Sequence, residues 1–256
     1  MSDETGPLAL VIGGGSGIGA ALADAYRAEG TTTVTWDIDG SHDVTCDVRE
    51  PDAIDDAVGL TRMRWGVPTS VTVTAGVGHS GLLTETQPDA FDRVMQVNAR
   101  GPWLCMRAWV GAMREQRTAG SFIAVSSISA RLVDRNMGIY CASKAALSML
   151  VQVAAVEWGE LGIRVNAIAP GVTRTPMLGR GPSVTIEGSP WLAGVSERTA
   201  LGRLGEPADI AQSIIALHAM EWVTGQVLEC DGGLSLHSPV DPYGAMVRER
   251  RSKQGP

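Results

Sequence analysis

Apolar and polar positions along the 256-residue chain alternate between two rhythms. Short runs rich in β-branched residues recur at 8–12, 31–36, 71–74, 121–125, 163–168 and 226–229, and read as strands. Between them lie stretches with helical spacing at 20–29, 51–65, 90–117, 140–160 and 207–220. The second of these opens on Pro51, a first-turn residue, and carries Ile54, Val58 and Met63 on one face. Gly30 and Gly162 close helices, and Gly101-Pro102 predicts a bend in the long helix. Strand and helix alternating this way predict an α/β fold: a doubly wound parallel sheet with right-handed crossovers and helices on both faces, in three layers. The pattern shows no linker, internal repeat or low-complexity stretch, so one domain is expected over 1–236, with 237–256 as a tail. Residues 174–200 lack a clear period and carry Gly179, Gly181, Gly188 and Gly194, which predicts a disordered stretch or a mobile functional loop.

Composition narrows the class. A hydrophobic fraction of 44% with 19% charged residues is that of a globular protein. A formal net charge of −7 argues against nucleic acid or an anionic membrane as partner. Arg248, Arg250, Arg251 and Lys253 form one basic cluster, read as a solvated tail. Cys46, Cys105, Cys141 and Cys230 are far apart, so neither a disulfide framework nor a zinc site is expected, and a reducing cytoplasm is the natural setting. The acidic N-terminus lacks the order of a signal peptide, and no apolar run approaches the roughly 20 residues that span a bilayer.

Chemistry enters with the glycines between the first strand and first helix. In Gly13-Gly14-Gly15-Ser16-Gly17-Ile18-Gly19, the first glycine permits a sharp turn. Gly17 lets backbone approach a pyrophosphate, and Gly19 lets helix and sheet pack closely. Phosphates there would meet free N–H groups at the positive end of a helix dipole. Asp37 follows eighteen residues after Gly19, at the end of the next strand, where a carboxylate accepts from both ribose hydroxyls and repels a 2′-phosphate. Neither Ser16 nor Ile38 supplies a cation for such a phosphate, so the reading favours NAD over NADP.

Tyr140 and Lys144, four residues apart near a helix start, share one face. A nearby cation lowers a phenol's pKa, and such a pair can exchange a proton with a carbonyl or alcohol oxygen. Ser127 lies just past a strand end, where the ligand crevice of a parallel sheet opens.

Taken in order, Gly13 to Gly19, Asp37, Cys46-Asp47-Val48, Ala75-Gly76, Asn98, Ser127, Tyr140-Cys141-Ala142-Ser143-Lys144, Pro170-Gly171 with Thr175, and Asp231-Gly232-Gly233 resemble the short-chain dehydrogenase/reductase family over about residues 7 to 236. The resemblance implies a Rossmann fold and a four-residue apparatus. Tyr140 would be the acid/base, and Lys144 would bind the nicotinamide ribose and lower the tyrosine pKa. Ser127 would hold the substrate oxygen, and Asn98 would anchor a water in the proton relay. Gly13, Gly15, Ser16, Gly17, Ile18, Gly19, Asp37, Ile38, Asp47, Val48, Ala75 and Gly76 would hold the adenosine and phosphates. Pro170, Gly171, Thr173 and Thr175 would lie along the nicotinamide. It implies no metal, and a homo-oligomer, commonly a tetramer. Three residues depart from the family pattern: Ile12, Thr74 where Asn is usual, and Thr173 where an apolar residue is usual.

The substrate pocket is expected from Val77, His79, Ser129, Leu132, Val133, Met177, Leu178 and Trp191, the last on a lid or packed at an interface. Asp134 and Arg135 read as polar selectors or a solvated loop pair. The function read from these residues is NAD(H)-linked interconversion of a secondary alcohol and a ketone. A 3-oxoacyl-thioester reductase, a sugar or cyclic-diol dehydrogenase, and an inactive NAD-binding regulator are the alternatives.

Overall fold

A computed structural model describes residues 7–179 and 189–236. Seven strands form one parallel sheet: β1 (Leu8–Ile12), β2 (Thr32–Asp37), β3 (Val44–Thr45), β4 (Ser70–Val73), β5 (Gly120–Val125), β6 (Ile163–Pro170) and β7 (Val227–Cys230). Their spatial order is β3-β2-β1-β4-β5-β6-β7. The chain therefore leaves β1 toward one edge and returns at β4 to build toward the other. The crevice of a doubly wound fold opens at this reversal, beyond the carboxyl ends of β1 and β4.

Strand alternation sends side chains to opposite faces, and each face has its own core. Leu8, Leu10 and Ile12 pack on one side with helices α2 (Pro51–Arg64), α4 (Gly101–Gln116) and α5 (Gly138–Trp158), through residues such as Ile54, Trp109 and Leu147. Ala9 and Val11 face the other side, against α1 (Gly17–Ala28) and α8 (Pro207–Ala219), through Leu22, Tyr26, Ile210 and Ile214. Trp36 and Trp109, both fully buried, pack with ring centroids 5.7 Å apart, and the Trp36 indole donates to Thr61 Oγ1 at 2.9 Å. Burial of a side chain of this kind contributes about 1.5–3 kcal/mol.

The expected strands and helices are present, with four differences. β3 is only two residues long and leaves no periodic trace in the sequence. The long helix expected over 90–117 is three pieces: α3 (Pro88–Met95), a π-helical turn Gln96–Arg100, and α4. The irregularity thus lies one turn before Gly101. Gly101 itself is there for contact: a Cβ would meet Val48 Cγ2 at 2.8 Å. Within 174–200, Pro176–Gly179 (α6) and Pro190–Arg198 (α7) are helices, so this stretch is not structureless throughout. Gly181, Gly188, the tail 237–256 and its basic cluster lie outside the described residues. Finally, α5 with the turn after it, Gly138–Leu161, is long and apolar enough to cross a membrane by length and composition, contrary to the expectation of no such run. Its Leu147, Val151, Ala154 and Ala155 are buried in the sheet's core.

One buried titratable group ties α8 to the sheet. The His218 ring pairs with Thr72 Oγ1 and with Ser121 Oγ, each at 2.9 Å, across β4 and β5. Burial, and secondarily Arg164, pushes its pKa down to about 3 from 6.5. The unfolded chain therefore binds this proton first. Its contribution to stability is complete above pH 6.5 and falls by about 1.4 kcal/mol per pH unit as pH drops toward 3. Urea midpoints for wild type and His218→Gln between neutral pH and about pH 4.5 are expected to show a shallower loss in the variant. Equal slopes would contradict the assignment.

Candidate active site

The glycine turn is held open by backbone bonds and one hydroxyl. The N–H groups of Gly13 and Gly14 donate to the Trp36 carbonyl at 2.7 and 3.1 Å. Thr74 Oγ1 lies 2.8 Å from the Gly13 carbonyl and 3.1 Å from that of Ile12. Thr74, the departure from the family's Asn, thus clamps the turn itself. Gly19 is required sterically, since a Cβ there would stand 2.0 Å from the Gly13 carbonyl oxygen. Ser16 is the N-cap of α1 in extended backbone, yet its side chain makes no capping bond. The first-turn N–H groups of α1 are therefore not claimed by the cap, which is the arrangement an incoming anion needs.

Asp37 ends β2 beside this turn. One carboxylate oxygen accepts from Gly15 N–H at 2.7 Å, and the other from Ile38 and Asp39 N–H at 2.7 and 3.2 Å. The oxygen that meets Gly15, Oδ2, keeps a lone pair for a further donor such as a ribose hydroxyl. Ile38 is 54% exposed. Asp47 is held well below the usual carboxylate range chiefly by hydrogen bonds from the Arg49 side chain. Val48 is buried under Gly101. Thr175 reaches across to the turn: its Cβ and Cγ2 lie 3.4 Å from where a Gly17 Cβ would be. Pro170 ends β6, Gly171 packs on Asp231, and Thr173 bridges to Gly205 while its hydroxyl donates to the Gly171 carbonyl at 3.0 Å. These residues offer a dinucleotide an uncapped helix end, close backbone and a ribose acceptor.

The four polar residues expected to do proton chemistry are brought together at the carboxyl edge. A Cβ built on Gly76 would lie 3.5 Å from both Asn98 Oδ1 and Lys144 Nζ. Asn98 sits in the π-helical turn, fully buried. Its Oδ1 accepts from Val77 N–H at 2.8 Å, and its Nδ2 donates to the Val77 carbonyl at 2.9 Å and to Ser143 Oγ at 3.1 Å. Lys144 is 3% exposed and donates to the Val125 carbonyl at 2.8 Å. Burial pushes its pKa down to about 8. Its Nζ lies 5.8 Å from the Tyr140 ring centroid. Ser127 Oγ accepts from Ser129 N–H at 3.1 Å, which leaves the Ser127 proton to donate elsewhere.

Burial acts on the Tyr140 phenol as well. Burial raises the phenol above its ordinary value, and the Ser127 side chain pulls in the opposite direction. Desolvation of a phenolate in this closed corner is the largest cause, and Lys144 spends its hydrogen bond on the Val125 backbone. The resting site therefore holds a protonated phenol.

The expected pocket residues divide. Val77 is tied to Asn98, and Met177 lies over the floor, its Cε and Cγ 3.9 and 3.8 Å from Cβ positions on Gly76 and Gly78. Leu178, on α6, is partly buried, as is Leu132, and His79 Nε2 pairs with Thr86 Oγ1 at 3.3 Å. Ser129 is buried, with its hydroxyl donated to Asp134 at 3.2 Å, so Asp134 serves the loop. Arg135 is exposed. Val133 is 94% exposed, which removes it as a pocket wall. Trp191 stands half-exposed on the first turn of α7. Sequence reasoning missed Thr74 as a clamp and Ser143 as a partner of Asn98. For Ser143 the available signal was a serine three residues after Tyr140, the spacing at which a helical serine bonds back to a carbonyl.

The chain is similar over most of its length to known proteins. A family model described as Enoyl-(Acyl carrier protein) reductase matches residues 13–235. A 2,5-dichloro-2,5-cyclohexadiene-1,4-diol dehydrogenase of Sphingobium indicum is 33% identical over 251 residues, covering 92% of this chain and 99% of that one. The (3R)-3-hydroxyacyl-CoA dehydrogenase of Homo sapiens is 32% identical over 254 residues, covering 89% and 95%. The solved structure of ElxO with NADP bound shares the fold, with a TM-score of 0.80 and 24% identity over 90% of this chain and 99% of that one. The chain belongs to the short-chain dehydrogenase/reductase family and is an NAD(P)-dependent oxidoreductase acting on a small molecule.

Proposed function

We propose that the protein interconverts a secondary alcohol and a ketone with NAD(H), using Tyr140 as acid/base. The observation that carries this reading is the convergence of Lys144 and Asn98 on Gly76, at the end of β4, with Tyr140 and Ser127 beside them. A bound nicotinamide supplies the hydride; the chain's residues manage the proton and the geometry. Ser127, whose oxygen already accepts from Ser129 N–H, donates its proton to the substrate oxygen. Tyr140 gives its phenol proton to the same oxygen in reduction and is reprotonated through the relay water; in oxidation the relay first takes that proton, and the phenolate then accepts the alcohol's. Lys144 binds the nicotinamide ribose from its buried position, and Asn98 fixes the loop at Val77 and anchors the relay water. Gly13, Gly15, Ser16, Gly17, Ile18, Gly19, Asp37, Ile38, Asp47, Val48, Ala75 and Gly76 hold the adenosine and phosphates, and Pro170, Gly171, Thr173 and Thr175 the nicotinamide.

Asp37 supports NAD over NADP: its carboxylate stands at the ribose end of the turn, and no cation takes the place of Ile38 beside it. Met177 over Gly76 and Gly78 gives the substrate an apolar ceiling, which suits a small or medium hydrophobic ketone. A second reading, a cyclic-diol dehydrogenase, is favoured by the near full-length similarity to the chlorinated cyclohexadiene-diol enzyme. On this reading the stretch 174–200, which carries Met177, serves as a lid on a single catalytic domain over 1–236, in the cytoplasm.

The protein forms a homo-oligomer, a tetramer by family resemblance. Supporting it is an apolar groove on the outer face of α4 and α5, lined by Met95, Trp103, Met149, Leu150 and Val153. Trp103, Met149 and Val153 are 38%, 59% and 45% exposed, apolar surface that a second copy would cover.

Two measurements test the reading. Tyr140→Phe is expected to lower turnover about 10²–10⁴-fold while NADH binding is kept. Full activity in the variant would sink the proton assignment. Ketones with NADH, and alcohols and diols with NAD+, cyclic and acyclic, are expected to run at least about tenfold more efficiently than with NADPH or NADP+, a difference of about 1.4 kcal/mol. An NADPH preference would refute the role given to Asp37.

A further inference from the structure

The proton apparatus needs the tyrosine held at a fixed distance from the floor on which substrate and nicotinamide meet. Tyr140 stands in the first turn of α5, whereas the floor is the chain leaving β4 at Gly76 and Val77. These elements are far apart in sequence, and one short chain of hydrogen bonds joins them. Ser143 Oγ donates to the Tyr140 carbonyl at 2.7 Å. The same oxygen accepts from Asn98 Nδ2 at 3.1 Å. Asn98 then closes a ring on Val77, donating to its carbonyl at 2.9 Å and accepting from its N–H at 2.8 Å. Ser143 and Asn98 are both fully buried.

The polarity of this chain leaves little freedom. Both protons of the Asn98 amide are used, one on Val77 and one on Ser143, and its oxygen is used by Val77. Ser143 has a single proton, and the Tyr140 carbonyl takes it. Asn98 has a partner on α5 only because the π-helical turn Gln96–Arg100 carries it there; the turn widens the helix where an ordinary α-turn would advance. Removing the serine hydroxyl strands one buried amide proton of Asn98, at a cost comparable to any unsatisfied buried donor.

We propose that Ser143 is a positioning residue for the reaction: it couples Asn98, and through Asn98 the Val77 floor, to the backbone of Tyr140. It touches neither substrate nor cofactor. The inference rests on the assignment of Tyr140 as acid/base, and it predicts two effects of Ser143→Ala that a purely local role in α5 would not produce. First, the Val77 amide loses protection. Amide exchange read by mass spectrometry over the segment 74–80 is expected to speed about tenfold, with β1 unchanged, as for opening of one local unit. Second, kcat for ketone reduction is expected to fall about tenfold or more, with the NADH dissociation constant within about twofold of wild type, as for a small misplacement of a catalytic group.

Ser143→Cys keeps the shape with a weaker hydrogen-bonding atom, so it serves if the alanine variant does not fold, and its losses are expected to be smaller in the same pattern. Unchanged exchange over 74–80 overturns the coupling. Faster exchange with wild-type kcat overturns the positioning role, and so does a kcat loss matched by an equal loss of NADH affinity. The exchange measurement needs no substrate, so it stands if the reading of Tyr140 fails. An active Tyr140→Phe would sink that reading, whereas an active Ser143→Ala beside a dead Tyr140→Phe would sink only this inference.

Discussion

A lysine ammonium buried with no carboxylate beside it is the constraint on which the site depends. Lys144 is 3% exposed, and its hydrogen bond goes to a main-chain carbonyl, that of Val125 at the end of β5. Among the described residues no acid pairs with it. Taking a cation out of water costs several kcal/mol unless partners compensate, and here the cost appears as a pKa pushed down to about 8. A fold tolerates such a group only where something else is gained, and the position next to Tyr140 states what that is. Buried ammonium and buried phenol both carry displaced pKa values within one corner, the pattern expected of a proton-handling site.

The rest of the architecture can be understood as what brings backbone to that corner. Parallel strands end together, so the carboxyl ends of β1, β4, β5 and β6 supply carbonyls and tight turns on one edge. The reversal between β1 and β4 opens that edge to a ligand. The glycine turn lies on one side of the opening, clamped by Thr74. The first two turns of α5 lie on the other and carry Tyr140 and Lys144. Between them lies Gly76, where a Cβ would sit in contact with both Asn98 Oδ1 and Lys144 Nζ. The π-helical turn brings Asn98 in from a third direction.

Much of this was legible in the sequence because it is local. A glycine turn, an acid eighteen residues on, and a tyrosine and lysine on one helical face are each set by spacing along the chain. What escaped depends on contacts between distant segments. Gly101 reads as a bend, yet it is small because Val48 lies against it. Thr74 reads as a loss of the family's asparagine, yet its hydroxyl meets two carbonyls sixty residues away. A π-turn has no periodic signature of its own, so Asn98 could be named but its reach to Ser143 could not. The helix Pro190–Arg198 lies in a glycine-bearing stretch whose apolar positions set no clear period, and only tertiary context settles it. The burial of the Tyr140 phenol was out of reach for a related reason: spacing reveals a neighbouring cation but not desolvation.

The chain contains two lysines, Lys144 and Lys253, and this makes the central claim directly measurable. Protein labelled with ¹³C at the lysine ε-carbon gives two resonances, assigned by Lys253→Arg and followed by NMR as pH is raised. The account predicts that Lys144 loses its proton near pH 8, well before a solvated lysine does near about 10.4. A Lys144 resonance that titrates at about 10.4 would mean that the ammonium is solvated or paired, and the account of the site would fail at its foundation.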